Sequence, residues 1–299
     1  MTDTSSRDLA IGIDIGGTKI KCGIVDGSGN VIGTPRETPT NAYGPREKIV
    51  ASILELLNEM LSQVPDSRLR GIGIGCSGPI DINTGTILEC NTLPTMHHYP
   101  LKHIIELTTC KKVCMNNDAN AMMFGEAVWG AGRGKSSILG ITLGTGCGCA
   151  FINDGKIWCG YTGNAGEIWQ APYRDSFIED YVSGPGLARM YKASTGREAD
   201  GKEIAERARA GETEALKVFD EFADGLVFAL SWTLNLVDPE AVIIGGSVVD
   251  SSDLFIPRVT EKLPKYLTRE AAEHINILCA GLGNNSGYIG AAALMFEDK

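Results

Sequence analysis

The 299-residue chain has no cluster of basic residues, no low-complexity stretch and no long linker. Its 27 lysines and arginines are outnumbered by 37 aspartates and glutamates, for a formal charge of -10. Duplex DNA and anionic membranes are therefore excluded as expected partners, since both are held by concentrated positive charge. The longest apolar stretch, Gly225 to Gly246, is broken by Asp238-Pro239-Glu240 and cannot cross a bilayer as one helix. It reads as a buried helix, a turn and a strand. Met1 to Asp8 are polar and lack the apolar segment of a signal peptide, so export is not expected and a cytoplasmic location is. The nine cysteines are an odd number set mostly in apolar, strand-like runs, which argues for reduced thiols and against a disulfide framework.

What the chain does have is a glycine-cornered turn, Asp14-Ile15-Gly16-Gly17-Thr18-Lys19, and a second one 128 positions later, Thr142-Leu143-Gly144-Thr145-Gly146. At that offset Gly12, Ile13, Gly16, Ile24, Asp26 and Gly27 meet Gly140, Ile141, Gly144, Ile152, Asp154 and Gly155. Each half brings an apolar strand into a Gly turn, leaves it by an alternating strand, and then offers Asp-Gly for a hairpin. No Gly-x4-Gly-Lys-Ser/Thr loop occurs, and no Gly-x-Gly-x-x-Gly loop opens a helix after the first strand, so neither a Walker loop nor a dinucleotide fingerprint is present.

The pattern predicts strands at Leu9–Ile15, Lys19–Val25 and Val31–Thr34, then a helix within Gly44–Val64 whose apolar residues recur every three or four positions. A strand at Gly71–Cys76, a hairpin around Asn83-Thr84-Gly85, a helix at Leu101–Thr108 and a strand at Lys111–Met115 follow. Asn116-Asn117-Asp118 caps a helix running to about Ala131. The order then restarts with strands Ile138–Leu143, Gly146–Ile152 and Lys156–Cys159, a long helical insertion, strands Ala241–Gly245 and Ile275–Ala280, and a last helix Ser286–Phe296. The expected fold is α/β, with a mixed sheet and flanking helices in each of two lobes. Expected domains are 1–118, 119–285 and a C-terminal helical segment 286–299 packing back toward the N-terminal lobe, with the cleft between lobes as the default site.

Gly16 and Gly17 can take positive φ and let backbone amides approach an anion, while Thr18 and Lys19 add a hydroxyl donor and a cation. Asp14 can hold the water shell of a magnesium ion or orient a terminal phosphate. In the second turn Thr142 stands where Asp14 does, and Thr145 is a neutral donor. Asp118, at a strand-to-helix junction, can accept the proton of an attacking alcohol, as phosphoryl transfer to a hydroxyl requires. Asn117 or Asp118 can equally cap the helix, and both roles can hold at once.

Taken in order, Asp14–Lys19, Gly75-Cys76-Ser77-Gly78-Pro79-Ile80-Asp81, Asn91-Thr92-Leu93-Pro94, Asn117–Ala121, Leu143–Cys149 with Gly163–Glu167, and Ile244-Gly245-Gly246 resemble the ROK family of sugar kinases and sugar-responsive repressors. The resemblance implies an actin/hexokinase-like (ribonuclease H-like) two-lobe fold and ATP- and magnesium-dependent phosphorylation of a hexose, the 6-hydroxyl of glucose or of a related sugar. It implies Asp118 as general base and Gly78, Asn91, Asn117, Asp118, Glu167 and Glu179 at the sugar. It further implies Asp14, Gly16, Gly17, Thr18, Lys19, Gly144, Thr145, Gly146, Gly245 and Gly246 at ATP, magnesium near Asp14 through water, and a homodimer.

One stretch departs from the family pattern. The Gly-Glu pair is followed by Ile168-Trp169-Gln170, so Trp169 replaces the usual His, and Ala171 to Phe177 contains no Cys or His where a zinc segment is usual. Structural zinc takes about four ligands, so zinc is not expected. Trp169 is read either as core or as an apolar platform for the sugar, and Glu179 either as a sugar ligand or as a solvated helix residue. Family repressors carry a helix-turn-helix ahead of the kinase-like part. The short polar start and the acidic balance favour an enzyme over a non-catalytic sugar sensor. A polyphosphate-using kinase stays open, because the turns bind phosphate without reading a base.

Overall fold

The first strand carries its bulk on one face only, and the architecture of the first unit follows from that asymmetry. The computed structural model describes residues 8–297, so the polar tail falls outside the described residues except for Asp8. Contacts divide these residues into two units. One runs up to Gly134 and adds Asp154–Ala165 and the residues from Gly281 on; the other is Lys135–Asn153 with Gly166–Ala280. The first unit contains β1 (Leu9–Ile15), β2 (Lys19–Asp26), β3 (Val31–Pro39), α1 (Arg46–Leu61), β4 (Leu69–Cys76), the hairpin β5 (Ile80–Asp81) and β6 (Thr86–Ile87), α2 (Leu101–Thr109), β7 (Val113–Asn117) and α3 (Asp118–Trp129). Its sheet runs β3-β2-β1-β4-β7, antiparallel among the first three strands and parallel from β1 to β7. Leu9, Ile11, Ile13 and Ile15 of β1 join Ile72, Ile74 and Cys76 of β4 in one core with Ile49, Ile53, Leu57 and Met60 of α1.

The second unit begins with β8 (Ser137–Leu143) and β9 (Cys147–Asn153). The short β10 (Lys156–Ile157) belongs to the first unit. There follow the hairpin β11 (Pro172–Tyr173) and β12 (Ser176–Phe177), then α4 (Ile178–Tyr181), α5 (Gly184–Thr195), α6 (Gly201–Arg209), α7 (Thr213–Val237), β13 (Ala241–Gly245), α8 (Ser252–Lys262), α9 (Arg269–His274) and β14 (Ile277–Cys279). β8 and β9 are antiparallel, while β8, β13 and β14 are parallel neighbours in that order. Leu139, Ile141, Val242 and Ile244 pack on Phe219, Phe222, Leu226 and Leu230 of α7. The apolar run from Gly225 thus resolves into helix, turn and strand, the turn being set by Asp238 at φ 44° just before Pro239. No helix among the described residues is long and apolar enough to cross a membrane.

The last helix, α10 (Ser286–Ala293), lies on the face of β1 and β4 opposite α1. That face carries Gly12 and Gly73, where an added Cβ would stand 1.8 Å from the carbonyl oxygens of Tyr288 and Ala291. Only glycine permits this approach, which accounts for the alternation of glycine and isoleucine in both strands. The helix ends at Ala293, short of the expected Phe296. The amides of Leu294, Met295 and Phe296 donate to carbonyls three residues back, tightening the chain out of α-helical pitch.

Other boundaries differ from the sequence expectation: β10 and β14 are shorter than the expected Lys156–Cys159 and Ile275–Ala280, and β3 and β7 are shifted. β3 continues to Pro39 because it pairs with β2 as far as Lys19, yet as an exposed edge strand it shows no apolar alternation. β7 starts at Val113 and reaches Asn117, pairing Asn116 and Asn117 with Gly75 and Cys76 of β4. The expected 118/119 division does not coincide with the division by contacts, because α3 packs closely on α10 and stays in the first unit.

Candidate active site

In the first unit, β1, β4 and β7 run parallel and deliver Asp14, Ser77 and Asp118 to the same end of the sheet. Asn117 caps α3 with its side-chain oxygen on the Ala119 amide at 2.9 Å, so the capping role is present. Asp118 is the first residue of α3; its Oδ1 accepts from the same amide at 2.8 Å and its Oδ2 accepts from the Ser77 hydroxyl at 3.0 Å. Burial pushes the Asp118 carboxyl above its ordinary range, opposed by those two hydrogen bonds. A carboxylate so placed is a stronger proton acceptor than a solvated one and is held in a single orientation.

Asp14 lies on the α10 face of β1, its carboxylate against Gly287, where an added Cβ would meet Oδ2 at 2.2 Å. Burial, and secondarily the charge of Asp118, push Asp14 up to about 7, with Lys19 and Lys21 acting in the opposite sense. The Asp118 charge thus raises the proton affinity of Asp14, and the two carboxylates present hard oxygen donors that fit a magnesium ion. Lys21, the cross-strand partner of Asp14, donates to Asn285 Oδ1 at 2.9 Å and to the Asn284 carbonyl at 3.3 Å, tying the α10 entry to β2.

The turn between β1 and β2 differs from its expected conformation. Neither Gly16 nor Gly17 has positive φ. Gly17 is needed for close approach instead, since a Cβ there would lie 2.9 Å from the carbonyl oxygen of Thr92. The Gly16 amide is spent on the Lys19 carbonyl at 3.1 Å, and buried Thr40 braces the turn through the Gly16 and Thr18 carbonyls at 2.6 and 3.0 Å. The Lys19 ammonium pairs with Glu37 at 3.1 Å on the surface, a contact that contributes little to stability. Thr18 and Asn91 are exposed. The Asn91 loop is fixed on both sides, through Cys90, whose thiol donates to the Ser77 carbonyl, and through Thr92 against Gly17. Gly78 lies beside the Asn117 amide, where an added Cβ would be 2.8 Å from Nδ2.

In the second unit the Gly144 amide donates to the Gly146 carbonyl at 2.9 Å, closing the turn, with Thr145 exposed at its tip. The two turns are not copies in register. The first closes at Ile15 and Ile20, the second at Leu143 and Cys147, one residue shorter. Glu179 is part-buried and accepts from the Cys147 amide at 2.9 Å, which rules out the solvated-helix reading. Gly245 ends β13 opposite Thr142 of β8. Gly246 follows at φ 90°, where a Cβ would meet the Leu143 carbonyl at 2.2 Å, so both strain and space require glycine. The second unit thus brings Gly144–Gly146, Glu179 and Gly245–Gly246 together.

Residues 10–298 match the model of the ROK family. The chain belongs to the ROK family. It is 31% identical over 316 residues to a glucokinase of Halalkalibacterium halodurans, covering 97% of this chain and 95% of that protein. It is 30% identical over 304 residues to an N-acetyl-D-glucosamine kinase of Vibrio parahaemolyticus, covering 95% and 98%. Among solved structures, a ROK family glucokinase from Streptomyces griseus in complex with glucose and AMPPNP superposes with a TM-score of 0.83 at 32% identity, covering 96% of this chain and 98% of that one. The actin/hexokinase-like α/β fold expected from the sequence is the fold of the chain, and the relatives make it a sugar kinase homologue.

Where the ROK pattern departs, the structure shows what stands in its place. Trp169 is partly buried, packs against the core of the second unit and directs its indole N–H to Glu167 Oε2. Gly166, just before, sits at φ 92°, and a Cβ there would be 2.3 Å from the Cys149 carbonyl, which fixes Glu167 against β9. The segment Ala171 to Phe177 forms the β11–β12 hairpin, paired Pro172 to Phe177 and Tyr173 to Ser176. Cys147 and Cys149 are buried residues of β9, and burial, with the Glu167 charge second, pushes the Cys149 thiol up to about 12. Cys159 lies beyond β10, not within a strand as expected, and accepts from the Asn116 side chain at 3.7 Å.

Sequence patterns alone do not single out Ser77, Lys21 or Gly287. Ser77 lies within the Gly75–Asp81 motif, and its position beside a catalytic candidate emerges only from the pairing of β4 with β7. Glu126 is equally silent in the sequence: fully buried in α3, it accepts from the amides of Ala131, Gly281 and Leu282, each at 2.9 Å, and anchors the loop that leads into α10.

Proposed function

We propose that this ROK protein is an ATP-dependent hexose kinase that transfers the γ-phosphoryl group to the 6-hydroxyl of glucose or a related sugar. The observation that carries the reading is Asp118: a part-buried carboxylate, oriented by Ser77 and the Ala119 amide, in the same unit as the Asp14 turn. Asp118 takes the hydroxyl proton as the sugar oxygen attacks phosphorus; the bond to the bridging oxygen breaks, and ADP leaves. Burial favours this step, because raising the carboxyl's proton affinity brings it closer to that of its task. Asn91, Asn117, Gly78, Glu167 and Glu179 are assigned to the sugar. Gly16 to Lys19 and Gly144 to Gly146 are assigned to phosphates, and Gly245 with Gly246 to the adenosine end. Asp14 would hold magnesium through water, the ion neutralising charge on the nucleotide's phosphates.

Relatives named for glucose and for N-acetyl-D-glucosamine stand at similar identity, so the sugar is a proposal resting on side-chain chemistry. A cytoplasmic homodimer remains part of the proposal. A coupled ADP-release assay over glucose, mannose, fructose, allose, N-acetylmannosamine and N-acetylglucosamine tests it. Sugar-dependent ADP release supports the kinase. Sugar binding without ADP release points to a sensor, and turnover with polyphosphate but not ATP would reassign the donor.

A further inference from the structure

The turn between β8 and β9 is gripped by one short segment at two points. At one end the Gly184 amide donates to the Gly144 carbonyl at 2.8 Å. At the other the Glu179 carboxylate accepts from the Cys147 amide at 2.9 Å through Oε2. A Cβ on Gly146 would lie 2.5 Å from that same oxygen, so residue 146 has room for no side chain while the carboxylate is in place. Between the two contacts the Ser183 hydroxyl donates to the Glu179 carbonyl at 2.7 Å and accepts from the Gly186 amide, capping α5 and holding the segment in shape.

We propose that Glu179 is a positioning residue for the nucleotide: its carboxylate fixes Gly144–Cys147 in the conformation that receives phosphate. The inference rests on the assignment of that turn to phosphates made above, and adds to the sugar-binding role assigned there to the same side chain. Charge requires the action to be indirect. A carboxylate facing a triphosphate repels it, so any gain in nucleotide affinity must come through the backbone that the carboxylate orders. That gain is available because a glycine-rich turn loses more conformational freedom on ordering than other sequences, and an acceptor held on the Cys147 amide orders the turn before the nucleotide arrives. A direct role at the sugar and a positioning role at the turn make different demands on the variants. The first is lost whenever the carboxylate changes; the second survives any acceptor of the same length.

The test is calorimetric titration of the full-length protein with AMP-PNP and magnesium, and separately with glucose, for wild type, Glu179→Gln, Glu179→Ala and Gly146→Ala. Gly146 does not lie in the left-handed region, so alanine there displaces the carboxylate without straining the backbone. The expected result is a loss of about tenfold or more in AMP-PNP affinity for Glu179→Ala and Gly146→Ala, with Glu179→Gln within about threefold of wild type. Unchanged AMP-PNP affinity in Gly146→Ala, or an equal loss in Glu179→Gln and Glu179→Ala, would overturn the proposal. If Glu179→Ala does not fold, the contrast between Gly146→Ala and Glu179→Gln decides the question by itself. Wild-type protein that binds no AMP-PNP overturns the kinase reading itself, and this inference with it.

Discussion

The hydroxyl of Ser77 donates to Oδ2 of Asp118 at 3.0 Å, from the end of β4 to the first residue of α3. This bond lowers the proton affinity that burial raises, and it selects one carboxylate orientation. Ser77→Ala should therefore cut kcat roughly tenfold and move the acid limb of the kcat/KM profile to higher pH. Ser77→Thr should restore both. A pH profile of the three proteins checks this, and an unmoved acid limb in Ser77→Ala would show that Ser77 does not set the base.

Asp14 gives a stability prediction with a definite sign. Its folded proton affinity is raised to about 7 against an ordinary 3.8, so between those values the folded state binds more protons than the unfolded one. Stability falls as pH rises through that window, by up to about 4 kcal/mol at full effect. Asp14→Asn should thus melt higher than wild type at pH 8 without magnesium and at about the same temperature near pH 4. Calorimetric scans at the two pH values decide it, and a lower Tm for Asp14→Asn at pH 8 would contradict the assignment.

Trp169 holds Glu167 through its indole N–H while its partly buried ring packs against the core of the second unit. Trp169→Phe keeps the packing and removes the donor. The sugar KM should rise about fivefold or more with the ATP KM within about twofold, since Glu167 is assigned to the sugar. Steady-state kinetics with each substrate varied in turn would reveal a change in the ATP KM alone, which is the contrary result.

On α7, Trp232 and Leu236 are 71% and 83% exposed, one turn apart, beside exposed Tyr266. Side chains of this size are rarely left in water together, and the proposed homodimer would cover them. Light scattering should find a dimer for wild type and a monomer for the double variant Trp232→Ser, Leu236→Ser. A monomeric wild type would remove the homodimer from the account.

The fold is largely legible in the sequence because its signals are local. β1, β4 and β13 are short apolar runs bounded by glycine, and α3 begins at a capping Asn. What escapes is register. Sequence places Gly16 and Gly144 at a constant offset, yet the second turn is one residue shorter, because a shared glycine does not set which residues of the flanking strands pair. The glycines of the first turn suggest conformational freedom, whereas Gly17 is there to let Thr92 approach, a contact between residues 75 apart in number. Gly287 and Ser77 are invisible for the same reason. Their neighbours, Asp14 and Asp118, become neighbours only when α10 and β4 are packed.

The most direct test of the central claim is turnover of Asp118→Asn across the sugar panel, with sugar binding measured on the same preparation. Sugar affinity should stay close to wild type and kcat should fall by about a hundredfold or more, since the amide cannot take the hydroxyl proton. Turnover near wild type in Asp118→Asn on any sugar the wild type phosphorylates would contradict that claim.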